Sequence, residues 1–228
     1  MLSNATVTAA GGFETWDFDS LEGKLNTAWM ALDDILLVKA EDGTLRGYHI
    51  TVIPQVFFSE YVEGDSTYKA LEIYNYTGSS IDLQTFGFKI ETYSNGASVA
   101  TDTVDLTGII NSGDVYVVAT ALVVSTLAPG TVVQEHALMY NGDDAVVLKM
   151  GEQIRDRIGQ VGVDPGIAWT GGDIDTVSTQ NQTLRRKEHI TSGDRNAADS
   201  FDPSDQWLPF EINTLDGLGT HSIDTEPK

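Results

Sequence analysis

The sequence predicts a mainly β protein: an antiparallel β-sandwich preceded by an N-terminal arm and one amphipathic helix. Three observations lead there. Roughly seven to nine short segments alternate apolar and polar residues as strands do, with turn residues about every ten positions. No βαβ alternation separates them, which excludes a parallel sheet. One stretch, Phe57 to Asn75, reads as a complete hairpin.

Taken in order, residues 1–15 are small and polar and end in Gly11-Gly12, the composition of a flexible arm or of an extended strand that must borrow partners. A helix follows. Asp19-Ser20-Leu21-Glu22 has the form of a capping box with Asp as the cap, and its acids suit the positive end of the helix dipole. Leu21, Leu25, Ala28, Leu32 and Ile35 succeed one another at spacings of 4, 3, 4 and 3. Trp29 and Leu36 widen the stripe, Lys39 stands near its end, and Glu41-Asp42-Gly43 stops it. Such a seam is that of a coiled coil, but it lasts only about two heptads. It reads as a helix lying on its own domain or as a short self-association helix, dimeric or trimeric.

Arg46 to Gln55 reads as a strand closed by Pro54, which cannot continue a central ladder. The domain boundary is placed here: residues 1–55 for attachment or oligomerisation, 56–222 for the sandwich, 223–228 as a tail. In the hairpin, Phe57, Ser59, Tyr61 and Glu63 fall on one face and Phe58, Glu60 and Val62 on the other. Gly64-Asp65-Ser66 turns the chain, and Ala70 to Tyr74 restarts the alternation. Ile81 to Thr92 alternates again, with Gly87 as a bulge or close-approach point. Asp114 to Ala119 is a compact apolar strand. Asn141-Gly142-Asp143-Asp144 is a hairpin turn leading into Ala145 to Lys149. Ile154 to Val163 and Thr183 to Glu188 complete the strands, and the tail after Leu208 is polar and extended.

Thirty-four acids face thirteen Lys and Arg, a formal net charge of -21. A surface so charged repels phosphate backbones and anionic membranes, so nucleic acid is a disfavoured partner. There is no cysteine, hence no disulfide framework, thiolate metal site or cysteine nucleophile. Met1 to Thr6 lacks the basic and apolar regions of a signal peptide, and no apolar run is long enough to span a membrane.

From Phe57 to about His221 the chain resembles a bacterial lamin tail domain. The pieces that carry the resemblance are Phe58 to Gly64, Lys69 to Asn75, Gly142 to Leu148, Asp156 to Gln160, Asp164-Pro165-Gly166 with Trp169, Thr183 to Lys187, and Phe201 to Ser204 with Trp207. The resemblance implies an immunoglobulin-like β-sandwich. It implies little activity, since such domains look like accessory modules beside secreted nucleases, phosphoesterases or surface anchors.

No enzyme is read from the residues. His49, His136, His189 and His221 lie far apart, with no metal-protease, nucleophile-elbow or phosphate-loop spacing. Glu60, Glu63 and Glu72 are read as structural, Glu60 and Glu72 facing each other or a basic partner such as Lys69. Asp194, Asn196, Asp199, Asp202 and Asp205 form the one acidic loop with ligands that would suit calcium. Asp202-Pro203-Ser204 is equally a turn initiator. Arg155, Arg157, Arg185, Arg186 and Lys187, with Arg195, would make an anion-binding patch if their strands are neighbours; otherwise they pair internally with the surplus carboxylates.

The expected function is a non-enzymatic structural or adhesive protein without a cofactor. Leu21, Leu25, Ala28, Trp29, Leu32 and Ile35 would assemble a homo-oligomer, and the sandwich would be displayed as a binding or decorating head among other structural proteins. That plan resembles a phage fibre or decoration protein and points to a virion or extracellular surface. The alternative is an extracellular binding module of a nuclease-type system, contacting DNA or polysaccharide through the basic residues.

Overall fold

The computed structural model describes residues 5–8, 35–39, 45–49 and 55–224. The chain divides into two compact units, Met1–Pro54 and Gln55–Lys228.

In the first unit, β1 (Ala5–Thr8), β2 (Ile35–Lys39) and β3 (Leu45–His49) form an antiparallel sheet in the order β1-β2-β3. Ile35–Lys39, read from the sequence as the end of the amphipathic helix, is thus its middle strand. The run Ile-Leu-Leu-Val fits a buried strand as well as a helical stripe, and a segment this short does not distinguish the two periods. Leu21, Leu25, Ala28, Trp29 and Leu32 lie outside the described residues.

The second unit opens with β4 (Val56–Glu63) and β5 (Lys69–Asn75), followed by β6 (Ile81–Asp82), β7 (Phe88–Tyr93), β8 (Asp102–Asp105), β9 (Ile109–Ile110) and β10 (Val115–Ala119). A short helix α1 (Ala121–Val124) leads to β11 (Val133–Glu135). Then come β12 (Ala145–Met150), β13 (Gln153–Ile158), β14 (Thr170–Gly171), β15 (Val177–Ser178), β16 (Gln182–Arg186), α2 (Pro203–Gln206) and β17 (Trp207–Phe210). Two main sheets result, one in the order β11-β10-β5-β4-β16-β17 and one in the order β13-β12-β7-β8, while β6 with β9 and β14 with β15 form two-stranded ribbons. Their inner faces meet in the main core, where Phe58, Tyr61, Leu71, Ile73 and Trp207 pack with Phe88, Ile90, Val146 and Leu148. This is the expected immunoglobulin-like sandwich. No helix among the described residues is long and apolar enough to cross a membrane.

Four details depart from the sequence reading, each for a local reason. The hairpin has a β-bulge between Phe58 and Glu60, so Phe58 and Tyr61 both enter the main core while Val62 packs on the opposite side. One inserted residue reverses the inward set, as the period of two requires. The exclusion of parallel pairing fails at β10 and β11, which run parallel after a crossover through α1. That helix is four residues long, too short to leave a periodic signal. The turn at Asn141–Asp144 does not close a hairpin, because β11 and β12 lie in different sheets; the hairpin is β12–β13. Gly87 is not a departure: it lies in the turn before β7 and its carbonyl accepts from the Gly151 N–H at 2.9 Å, the close approach that the sequence reading allowed.

The fourth departure is the tail. Residues 211–224 do not run free but cross the outer face of the six-stranded sheet as a strap. Leu215 and Leu218 pack on Val62, Ala70, Val117, Ala119 and Val123. Further along the same face Ile223 packs on Phe57, Tyr74 and Val115, and His221 meets Tyr74 edge-on at 4.9 Å. Every residue of β4 and β5 is therefore buried. The outer face of the other sheet is covered too, by a cluster around Trp169, with Tyr93, Ala145, Val147 and Ala197.

Candidate functional site

The hairpin and the strands beside it carry an unusual load of buried charge, and the strap seals it. The bulge at Ser59 brings its hydroxyl to the Glu72 Oε1, which accepts at 2.7 Å. Glu60 and Glu72 are direct cross-strand partners, so both carboxylates stand on the outer face, 2% and 0% exposed. Arg185, opposite Glu60 on β16, donates from Nε to the Glu60 Oε2 at 3.2 Å. The same guanidinium reaches the Asp216 carboxylate of the strap. The Gly219 N–H donates to the Glu72 Oε2 at 2.6 Å.

Two carboxylates side by side with one cation between them cannot both ionise cheaply. Burial pushes the Glu60 carboxyl up to about 8, against the pull of Arg185 and with Glu72 adding to the rise. Burial likewise raises Glu72 to about 7, partly offset by the Ser59 hydroxyl and the Gly219 N–H. The Glu60 Oε1 is buried and makes no hydrogen bond. At the other end of the hairpin Glu63 is paired with Lys69 and accepts from the Asn181 N–H.

The five basic residues grouped from the sequence do not form one surface. Arg155, Arg157 and Arg186 are 2%, 2% and 3% exposed. Arg186 pairs with the buried Asp156 and lies over the Trp207 ring at 4.0 Å. Arg157 pairs with Asp194 at 2.7 Å and with Asp199. Arg155 donates to Gln153. Only Arg185 and Lys187 keep a solvent-facing side, and the Lys187 Nζ donates to the Ser204 carbonyl at 2.7 Å. The internal pairing with surplus carboxylates, the other branch of the sequence reading, describes most of them.

The acidic loop is spent in the same way. Asp194 and Asp199 hold Arg157. Asp202 caps α2 by accepting from the Ser204 N–H at 2.8 Å, which is the turn-initiating role, and the Asp205 carbonyl accepts from Lys187 at 3.3 Å. Among the described residues no three His, Asp or Glu side chains converge on a point that would hold a metal ion.

A groove of about 670 Å³ opens between β16, β17 and the strap, lined among others by Arg185, Lys187, Leu208, Phe210, Asp216 and His221. Arg185 stacks on the Phe210 ring at 4.1 Å along one wall. Burial lowers the His221 imidazole to about 4, with Arg186 adding to the drop. Sequence reasoning found the basic residues of this groove but not its strap side, because Asp216, Thr220 and His221 are scattered through a polar tail.

A comparison with known families finds one match, the lamin tail domain, over residues 50–180. It covers the sandwich from before β4 through β15; β16 and β17, which complete the six-stranded sheet, lie beyond it. No curated protein and no solved structure matches the chain.

Proposed function

This chain belongs to the lamin tail domain family, and from that membership we propose that it works as a structural or adhesive protein in which the first 55 residues assemble the oligomer and the sandwich is the displayed head. The family's immunoglobulin-like domain is a binding or structural module and generally non-catalytic. The observation that carries the reading is where the charge goes. Asp156 with Arg186, Glu63 with Lys69, and Arg157 with Asp194 and Asp199 lock strands and loops together inside the head. Such pairing fixes register and shape, which a display module needs, and leaves those groups unable to serve as acids, bases or ligands.

In the finer form of the proposal the seam Leu21, Leu25, Ala28, Trp29 and Leu32 drives homo-oligomerisation, and the whole is a fibre or decoration protein of a virus particle. Light scattering on the full chain and on residues 55–228 tests it. The full chain is expected to run as an oligomer and the head as a monomer; a monomer mass for both would overturn the assembly reading.

One observation favours a second reading, a polysaccharide-binding module of an extracellular system. The groove sets an aromatic ring, an exposed Leu208 and the cations Arg185 and Lys187 beside hydroxyl and carboxylate groups, the mixture that holds sugars. Titration of the full chain with an acidic polysaccharide at low salt is expected to give binding that Lys187→Glu weakens. Absence of binding at low salt removes this reading and leaves the first intact.

A further inference from the structure

The strap is held at three points along its length. Asn213 Nδ2 donates to the Asp65 carboxylate at 2.9 Å while its Oδ1 accepts from the Asp65 N–H at 3.0 Å. In the middle it rests on Glu60, Glu72 and Arg185. At its far end the Asp224 N–H donates to the Glu188 carbonyl at 2.9 Å. The near end is an amide pair with the backbone and carboxylate of Asp65, and the far end a backbone hydrogen bond. The middle is different.

Gly217 lies so close to the Glu60 carboxylate and the Arg185 guanidinium that a Cβ there would collide with both. The contact sets the strap backbone directly against Glu60 and Arg185. Each group facing the pair is accounted for by element. On β4 there are Glu60 and Ser59, on β5 Glu72, on β16 Arg185, and on the strap Asp216 with the Gly219 N–H. On β10 the residue opposite Glu72 is the apolar Val117. One cation thus faces three carboxylates, two of them buried side by side. With Asp216 ionised on the surface, Arg185 is already matched, so every negative charge on the glutamate pair is uncompensated and each proton the pair keeps removes one of them.

We propose that Glu60 and Glu72 form a proton-held latch. While the pair keeps a proton the strap lies on the sheet; once both carboxylates ionise, their repulsion and their demand for water lift residues 216–220. Lifting uncovers Val62, Ala70, Val117 and Ala119, removes one wall of the groove, and frees Arg185 from Asp216. The raised proton affinities of both glutamates, noted above, place the change in the neutral to mildly alkaline range. The inference stands apart from the assembly reading and from the polysaccharide reading, since it concerns only the head and its own tail.

Hydrogen–deuterium exchange on the full chain, corrected for the intrinsic pH dependence, reads the latch directly. Between about pH 5.5 and about pH 9 the protection of amides 216–220 is expected to fall roughly tenfold or more, while β7 and β12 keep theirs. In the Glu60→Gln, Glu72→Gln double variant, protection is expected to be flat across the range. Flat protection in the unmodified chain, or the same slope in the double variant, would overturn the latch. Should the double variant fail to fold, carboxyl-carbon NMR of the unmodified chain decides: midpoints for Glu60 and Glu72 above about pH 6 support the latch, and midpoints in the ordinary glutamate range overturn it.

Discussion

Asp156 and Arg186 form an ion pair across the open seam of the sandwich, where β13 of one sheet runs beside β4 and β16 of the other, with side chains 0% and 1% exposed. The same carboxylate accepts from the backbone N–H of Phe58, Arg157 and Asp194 at 2.8, 2.9 and 2.8 Å. Arg186 in turn donates to the Phe58 carbonyl at 2.8 Å. One carboxylate thus satisfies donors on β4, β13, β16 and the loop at Asp194. Asp156→Ala and Arg186→Ala are each expected to lower stability by about 3–5 kcal/mol, because each strands the other charge in the core. The double variant should lose less than the two single losses added. Urea unfolding of the four proteins measures the coupling; additive losses would mean the pair is not a unit.

Trp169 lies against the backbone of Gly159, the residue that follows β13. Gly159 has φ +82, and a Cβ there would stand 2.6 Å from the indole and 3.0 Å from the Ala145 Cα. Gly159→Ala therefore combines a strained backbone with a blocked ring, and a loss of roughly 2–4 kcal/mol is expected. Thermal unfolding followed by near-ultraviolet circular dichroism would show both the lower midpoint and a changed indole signal. A neutral substitution would mean that the ring moves aside without loss.

These two sites show what the sequence could and could not convey. The hairpin and its neighbouring strands were legible because alternation and turn residues are local signals. Arg185-Arg186-Lys187 reads as a patch only when its charges are counted together. Taken as a strand, alternation sends Arg185 to Glu60 on the outer face and Arg186 to Asp156 at the seam, and only the second is lost to solvent. The bulge at Ser59 was hidden, because Val56 to Glu63 mixes apolar and polar residues on both faces and fixes no register. The strap was hidden for a related reason. Leu215, Leu218 and Ile223 are too widely spaced among polar residues to suggest burial, and their partners lie on strands more than ninety positions away in sequence.

Four groups shape the pH dependence of stability most directly. Glu60 and Glu72 have folded values of about 8 and 7 against an ordinary 4.5. Their contribution is complete below 4.5, where folded and unfolded chains are both protonated, and is lost as pH rises through 7 and 8. His221, at about 4 against 6.5, contributes above 6.5 and loses that contribution as pH falls through 4. For Glu91, burial would raise the carboxyl, but hydrogen bonds from Lys149, Tyr93 and Lys89 outweigh it and hold it at about 2. Its contribution is present above 4.5 and fades as pH falls toward 2. Stability is therefore expected to peak between about pH 4.5 and about pH 6.5, toward the acidic end of the usual range. Urea midpoints across the range check it, and Glu72→Gln should flatten the alkaline side alone. A maximum near pH 8 would contradict the buried, protonated pair.

Removing the strap is the most direct test of its role as a cover. Truncation after Phe210 would expose Val62, Ala70, Val117, Ala119 and Val123, all fully buried in the intact chain, as one contiguous apolar face with Phe57 beyond it. It would also take the Gly219 N–H from Glu72 and Asp216 from Arg185. An uncovered face of that kind on a sheet invites a second molecule to take the place of the tail. Residues 1–210 are expected to bind an apolar dye and to sediment as a larger species than the full chain at equal concentration. Leu218→Ala in the full chain, which trims the cover without removing it, should lower stability by about 2–3 kcal/mol, at the low end for a buried leucine because its site is at the edge of the cluster. If the truncated chain stayed at the mass of its parent and bound no dye, the outer face would have to be closed by other residues, and the strap would be a passenger rather than a lid.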